Sequence, residues 1–266
     1  MRLRSFAFAL AVPCCIFALP ASAQQASTTA TQNPQAVALA TNSIAVLSGT
    51  VQVADVTLTG TATRVAGSDT GSGTVTLKAL GTSNSRMDLS LSDGTFSEMR
   101  TAQSGAPQGQ WLATNGSYNN MATHNCFTDA AWFFPALSIL SQLSNPNLIA
   151  TYVGPETKAG VGVYHLRLSI QSPTDPTGLL QQLSTEDVYL SASTYLPVAL
   201  VFQTHPDNDA LTNILVEIDF SDYQAVNGVQ IPFSIQKFLN GSLHLEITIQ
   251  SATLNSGLAV SAFSSN

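Results

Sequence analysis

Three features of this sequence predict a mainly β fold with some helix (α+β), built as a single curled antiparallel sheet or incomplete β-barrel. Apolar and polar residues alternate with a period of two through much of residues 56–254. Asn, Asp, Ser and Gly gather at the breaks between these runs, and Asn227-Gly228 and Asn240-Gly241 carry the tight-hairpin signature. Residues 129–143, DAAWFFPALSILSQL, follow neither the strand period nor a one-sided helix. A sheet of about eleven strands with one apolar face cannot lie flat, because twist accumulates and the apolar face must be covered. The sheet is therefore expected to wrap residues 129–143.

Residues 1–23 read as a signal peptide: Arg2 and Arg4 precede an apolar stretch at 6–19, and Ala21-Ser22-Ala23 forms a small-residue cleavage site. The stretch is too short, and too interrupted by Pro13, to span a bilayer. No small residue precedes Cys14 or is interposed before Cys15, as a lipid-attachment site would require. The expectation is a periplasmic or secreted chain, cleaved near Ala23, with no transmembrane segment. Cleavage leaves Cys126 as the single cysteine, so no intramolecular disulfide can form and the core alone must hold the fold. It also removes two of nine basic residues, leaving seven against sixteen acids, a net charge of −9 that argues against nucleic acid as a partner.

Residues 24–33 lack apolar periodicity and read as a flexible leader, and residues 34–266 as one domain. Asn33-Pro34 caps a helix whose Val37, Ala40, Ile44 and Leu47 recur at helical spacing until Gly49 stops it. Period-two strands follow around Val56–Leu58, Val75–Ala79 and Met87–Leu91, separated by turn-forming residues. Poorer strands are expected at 95–100 and 110–114, with QSGAPQG at 103–109 as a loop. On a helical wheel Trp132, Phe133, Leu137, Leu140 and Leu143 cover one broad face, and Pro135 breaks the helix into a kinked or doubled element. Strands are expected at 148–153 and 162–170, then a short helix capped by Asp175-Pro176 and carrying Leu179, Leu180 and Leu183. Five more strands, at 187–190, 197–204, 211–223, 229–239 and 243–254, complete the sheet.

The runs DVYLSASTYLPVALVFQTH, ILVEIDFSDYQAVNGVQIPFSIQKFLNG and LHLEITIQSATLN resemble the C-terminal half of the LolA/LolB-like superfamily of periplasmic lipoprotein carriers. The matching pieces are Tyr195-Leu196-Pro197, residues 220–228 and Ile231-Pro232-Phe233. The resemblance implies a half-barrel that encloses an apolar cavity for acyl chains, with helices as its lid. It makes an apolar ligand (a lipid or acyl chain) or an envelope protein the expected partner. Trp132, Phe133, Leu137, Leu140, Leu143 and Leu180 are then the candidate cavity or lid residues. The same aromatic segment also reads as a filled core with no ligand space.

Other chemistry is sparse. His124 and Cys126 stand two positions apart, a spacing open to a hydrolase thiolate and its base, though no third orienting group is identifiable and a buried structural cysteine fits equally. The loop His205-Pro206-Asp207-Asn208-Asp209 lacks the glycine and distant glutamate of a calcium loop, and His165, His205 and His244 lie on separate segments. No cofactor or metal is expected: Gly-x-Ser-x-Gly, phosphate-loop, Cys-x-x-Cys and dinucleotide motifs are absent from the sequence. A non-enzymatic binding protein is the leading expectation, with an envelope sensor or scaffold that pairs a protein segment at its sheet edge as the alternative.

Overall fold

The computed structural model describes residues 32–264, except 104, 114 and 139–142. The expected signal peptide and most of the leader lie outside the described residues. The opening helix α1 (Pro34–Ser48) begins as its cap residues dictate, with Asn33 Oδ1 accepting from the N–H groups of Gln35 and Ala36 at 2.9 and 3.1 Å. Its buried stripe is Ala36, Leu39, Ala40, Ser43 and Leu47. Val37 and Ile44 sit half-buried at the margin of that stripe.

Thirteen strands form one antiparallel, unclosed sheet, in two meanders. The first comprises β1 (Asp55–Ala66), β2 (Asp69–Leu80), β3 (Asn84–Leu91), β4 (Gly94–Gln103), β5 (Ala106–Leu112) and β6 (Tyr118–Asn120). The second comprises β7 (Leu148–Lys158), β8 (Val161–Ile170), β9 (Glu186–Ser191), β10 (Pro197–Thr204), β11 (Ile214–Val226), β12 (Val229–Leu239) and β13 (Ser242–Leu254). Pairing of β1 with β13, from Val56↔Leu254 to Arg64↔Leu245, joins the meanders at the centre and leaves β6 and β7 at opposite edges. The connection between them, residues 121–147, must therefore cross the whole sheet.

Alternation gives the sheet an inner face, and its apolar side chains form one core cluster with α1 and residues 131–137. Leu58, Leu77, Leu166, Leu190 and Ile218 in this cluster are wholly buried. The outer face is polar. There His165 stands between two carboxylates, Nδ1 2.7 Å from Glu156 and Nε2 2.9 Å from Asp187, beside the Arg167–Asp187 pair.

Three local expectations differ from the structure. Residues 103–109 are not a loop: Gln103↔Ala106 closes a hairpin and β5 continues from there. The Gly and Pro that suggest a loop are tolerated because Gly109 stands where a Cβ would lie 2.8 Å from Met121 Sδ. The three-residue β6 lacks any period long enough to read. Residues 129–138 do not form an α-helix; they make a turn and then a 3-10 turn at Pro135–Leu137. Proline supplies no N–H and disfavours helical geometry in the preceding residue, and Phe134 is accordingly extended at φ −133°, ψ 86°.

Candidate functional site

The crossover from β6 to β7 is tied to the sheet at three points before it enters the core. Asn125 bridges to the end of β10: its Oδ1 accepts from His205 N (2.8 Å) and Thr204 Oγ1 (3.0 Å), and its Nδ2 donates to His205 O (2.8 Å). Arg100, on the inner face of β4, donates to Thr128 O at 2.8 Å. The backbone N–H of Asp129 donates to Glu186 Oε1, on the inner face of β9. Asp129 Oδ1 then accepts from Ala131 N (3.0 Å), turning the chain so that three consecutive aromatics point into the sheet.

Trp132, Phe133 and Phe134 are at most 3% exposed and fill the inner face. Trp132 and Phe133 meet edge to face at 5.5 Å between ring centroids. Lys237 Nζ lies 4.8 Å from the Trp132 ring centroid and places a cation on its face. Leu137 is buried, and half-buried Leu143 packs against the same cluster. Leu140 lies outside the described residues. Beside Trp132 remains a gap of about 10 Å³, bounded by Pro135, Ser138, Val188, Pro197, Leu200 and Phe220. Such a space holds one water at most. The space against Trp132 is thus filled by the chain's own side chains.

The anchors are electrostatically unusual. Glu186 is fully buried, and burial, then the neighbouring Asp129 carboxylate, push its carboxyl well above the ordinary range, which the Asp129 N–H and Arg100 only partly offset. Its Oε2 has no hydrogen-bond partner. Arg100 is 5% exposed. These groups hold residues 125–137 by side-chain contacts rather than by a strand ladder.

Leu180 does not join this site. It is half-buried on α2 (Leu179–Leu183), which packs on β8 and buries Leu183 outside the plug's cluster. The Cys126–His124 pair is not assembled either. His124 Nε2 lies 3.0 Å from Pro206 O and its ring packs edge-on to His205, while Cys126 Sγ donates to Ala122 O at 3.6 Å. Burial pushes the Cys126 thiol up, away from thiolate reactivity. Asp209 turns its carboxylate onto Leu211 N and Thr212 Oγ1, closing its own loop. Among the described residues no three His, Cys, Asp or Glu side chains are grouped to hold a metal.

The β7 edge of the sheet is guarded. Asn33 N donates to Ala150 O and Gln32 Nε2 to Leu148 O, covering the start of β7; a bulge between Tyr152 and Gly154, then Pro155, interrupts the rest. Residues Arg100, Glu186 and Lys237 escaped the sequence reading, although each shares the parity of its strand's inward residues. Glu186, Val188 and Leu190 are one such set.

Solved structures share this fold at low sequence identity. An outer membrane lipoprotein-sorting protein domain from Vibrio parahaemolyticus is 13% identical with a TM-score of 0.54, over 85% of this chain and 95% of that one. For a DUF1329 family protein from Desulfovibrio piger the values are 11%, 0.55, 86% and 96%. For a LolA superfamily protein from Nitrosomonas europaea they are 10%, 0.51, 86% and 97%. No family model and no curated protein matches the sequence. The resemblance read from the Leu-Pro, Asn-Gly and Ile-Pro-Phe turns is borne out at the level of the fold. Among the described residues no helix is long and apolar enough to cross a membrane.

Proposed function

We propose that this chain, built on the fold of LolA-superfamily proteins, is an exported, non-enzymatic binding protein whose aromatic plug exchanges with the acyl chain of a lipid or acylated protein. The observation that carries this reading is the plug itself: Trp132, Phe133, Phe134 and Leu137 occupy the apolar inner face but belong to no strand or α-helix. A core made for stability alone is normally filled by side chains of its own helices and strands.

The gross terms of an exchange are of similar size. Exposing four such side chains costs roughly 6–12 kcal/mol, at 1.5–3 kcal/mol each. A sixteen-carbon chain gains about 12 kcal/mol on burial, before association costs, at about 0.8 kcal/mol per methylene. The two nearly balance, which a carrier that must also release its cargo requires. The Vibrio fold-mate is an outer membrane lipoprotein-sorting domain, and a lipid-bearing partner for this chain is consistent with it. The guarded β7 edge makes strand addition by a protein segment the weaker reading.

The test is native mass spectrometry of the mature chain, from residue 24, purified without detergent and then extracted for lipid. Co-purified or stoichiometrically loaded lipid is expected; a chain that neither carries nor accepts lipid overturns the reading.

A further inference from the structure

A second cleft lies away from the plug. It measures about 680 Å³ and sits at the β4–β6 end of the sheet, where residues 260–264 of the C-terminal tail lie across β3 and β4. That volume falls within the range of small-molecule sites. Thr101, Gln108, Gln110 and Asn120 share one face of the sheet by register, since Thr101↔Gln108 and Gln110↔Asn120 are direct partners. The tail is held in place from both ends. Asp55 accepts from the N–H groups of Ser256, Gly257 and Leu258, and Arg86 Nη1 donates to Ser264 O at 3.2 Å.

The lining is selective in its chemistry. Its described lining contains carboxamides, hydroxyls and the apolar Met99 and Phe263, and among the described residues no ionisable side chain lines it, in a chain with a formal net charge of −7. A charged ligand entering it would lose water without meeting a counter-charge. An acyl chain would strip water from the carboxamides and leave their donors and acceptors unmade. A peptide normally binds by backbone hydrogen bonds along several residues, but β4 is paired on both sides and β5 is paired with β6 over Gln110–Leu112, which leaves only the three-residue β6 and Ala106–Gln108 as short lengths of strand edge. A hydroxyl both donates and accepts, as a carboxamide does through its two ends. We propose that this cleft binds a neutral carbohydrate of one or two sugar rings, through the carboxamides of Asn84, Gln108 and Asn120 and the hydroxyls of Thr101 and Ser261.

The experiment is saturation-transfer NMR and calorimetry on the mature chain with maltose, cellobiose and diacetylchitobiose, using galacturonic acid and a blocked neutral tripeptide as comparisons. At least one neutral disaccharide should bind, with a dissociation constant of about 1 mM or tighter. Thr101→Glu places a carboxylate in the cleft and should weaken that binding at least tenfold, and Gln108→Ala about threefold or more, both with an unchanged melting temperature. Acyl-chain uptake at the plug should be the same in both variants, so the two sites succeed or fail independently. Absence of binding by all three sugars overturns the proposal. So does sugar binding that neither variant weakens, or preferential binding of galacturonic acid or the tripeptide.

Discussion

Glu186 accepts the backbone N–H of Asp129 from the floor of the sheet, so that a fully buried carboxyl holds the first turn of the plug. The second carboxylate beside it, that of Asp129, makes ionisation of Glu186 unfavourable while the plug is seated. Folding with the plug in place therefore takes up a proton at this position. Its stabilising effect is fully present below the unfolded value near 4.5 and is lost as pH rises from there through the raised folded value.

Glu186→Gln should remove that dependence. Glutamine keeps an oxygen for the Asp129 N–H and carries no ionisable proton. Thermal melting between pH 5 and pH 9 should find the variant gaining on the wild type by several degrees as pH rises. A difference between the two that stays constant with pH contradicts the assignment.

Asp219, on β11, is a second raised carboxyl, pushed up to about 6 by burial and then by Glu217, with Lys158 acting in the opposite direction. By the same sign it weakens the fold as pH climbs from the unfolded value of 3.8 through about 6. Asp219→Asn should raise the melting temperature at pH 8 by roughly 2–4 degrees, for about 1 kcal/mol after allowance for solvent screening, and leave it unchanged at pH 4. Equal effects at both pH values would sink this.

The plug model makes stability and binding move in opposite directions. Phe133→Ala should cost about 3–5 kcal/mol and lower the melting temperature by roughly 10 degrees. It should also tighten binding of a sixteen-carbon fatty acid at least tenfold, because less apolar surface is exposed when the plug leaves. A variant that melts lower and binds no better is what a permanent core predicts.

Cys126→Ser should leave lipid uptake unchanged and cost about 1–2 kcal/mol, the penalty of burying a hydroxyl. The wild-type thiol should stay unreactive toward a disulfide reagent until the protein is denatured. Rapid labelling of the native protein, or loss of a measured turnover in the serine variant, would restore the nucleophile reading.

The parts of the fold legible in the sequence are those where local chemistry decides alone. Asn33-Pro34 starts α1, and Asn227-Gly228 and Asn240-Gly241 close hairpins, because cap and turn geometry depend on a few adjacent residues. Residues 103–109 misled because Gly109 answers to Met121, twelve positions away. The aromatic run was recognisable as the element the sheet covers, but its conformation was not. Pro135 breaks the helix there, while distant contacts at Arg100, Glu186 and Lys237 choose what replaces it. Those three are visible only as polar residues at inward positions of strands, and without the sheet nothing tells which partner each one meets.

Trp132 itself reports whether the plug moves. It is 3% exposed, whereas Trp111 on β5 is 37% exposed, so Trp111→Phe leaves Trp132 as the single tryptophan, excited selectively over tyrosine at the red edge, without touching the plug. Titration of that variant with palmitate should shift the Trp132 emission to longer wavelength in step with a stoichiometric binding isotherm, as the indole leaves the core. Palmitate that fails to bind, or that binds while the Trp132 emission stays that of a buried indole, would contradict the exchange of plug for acyl chain.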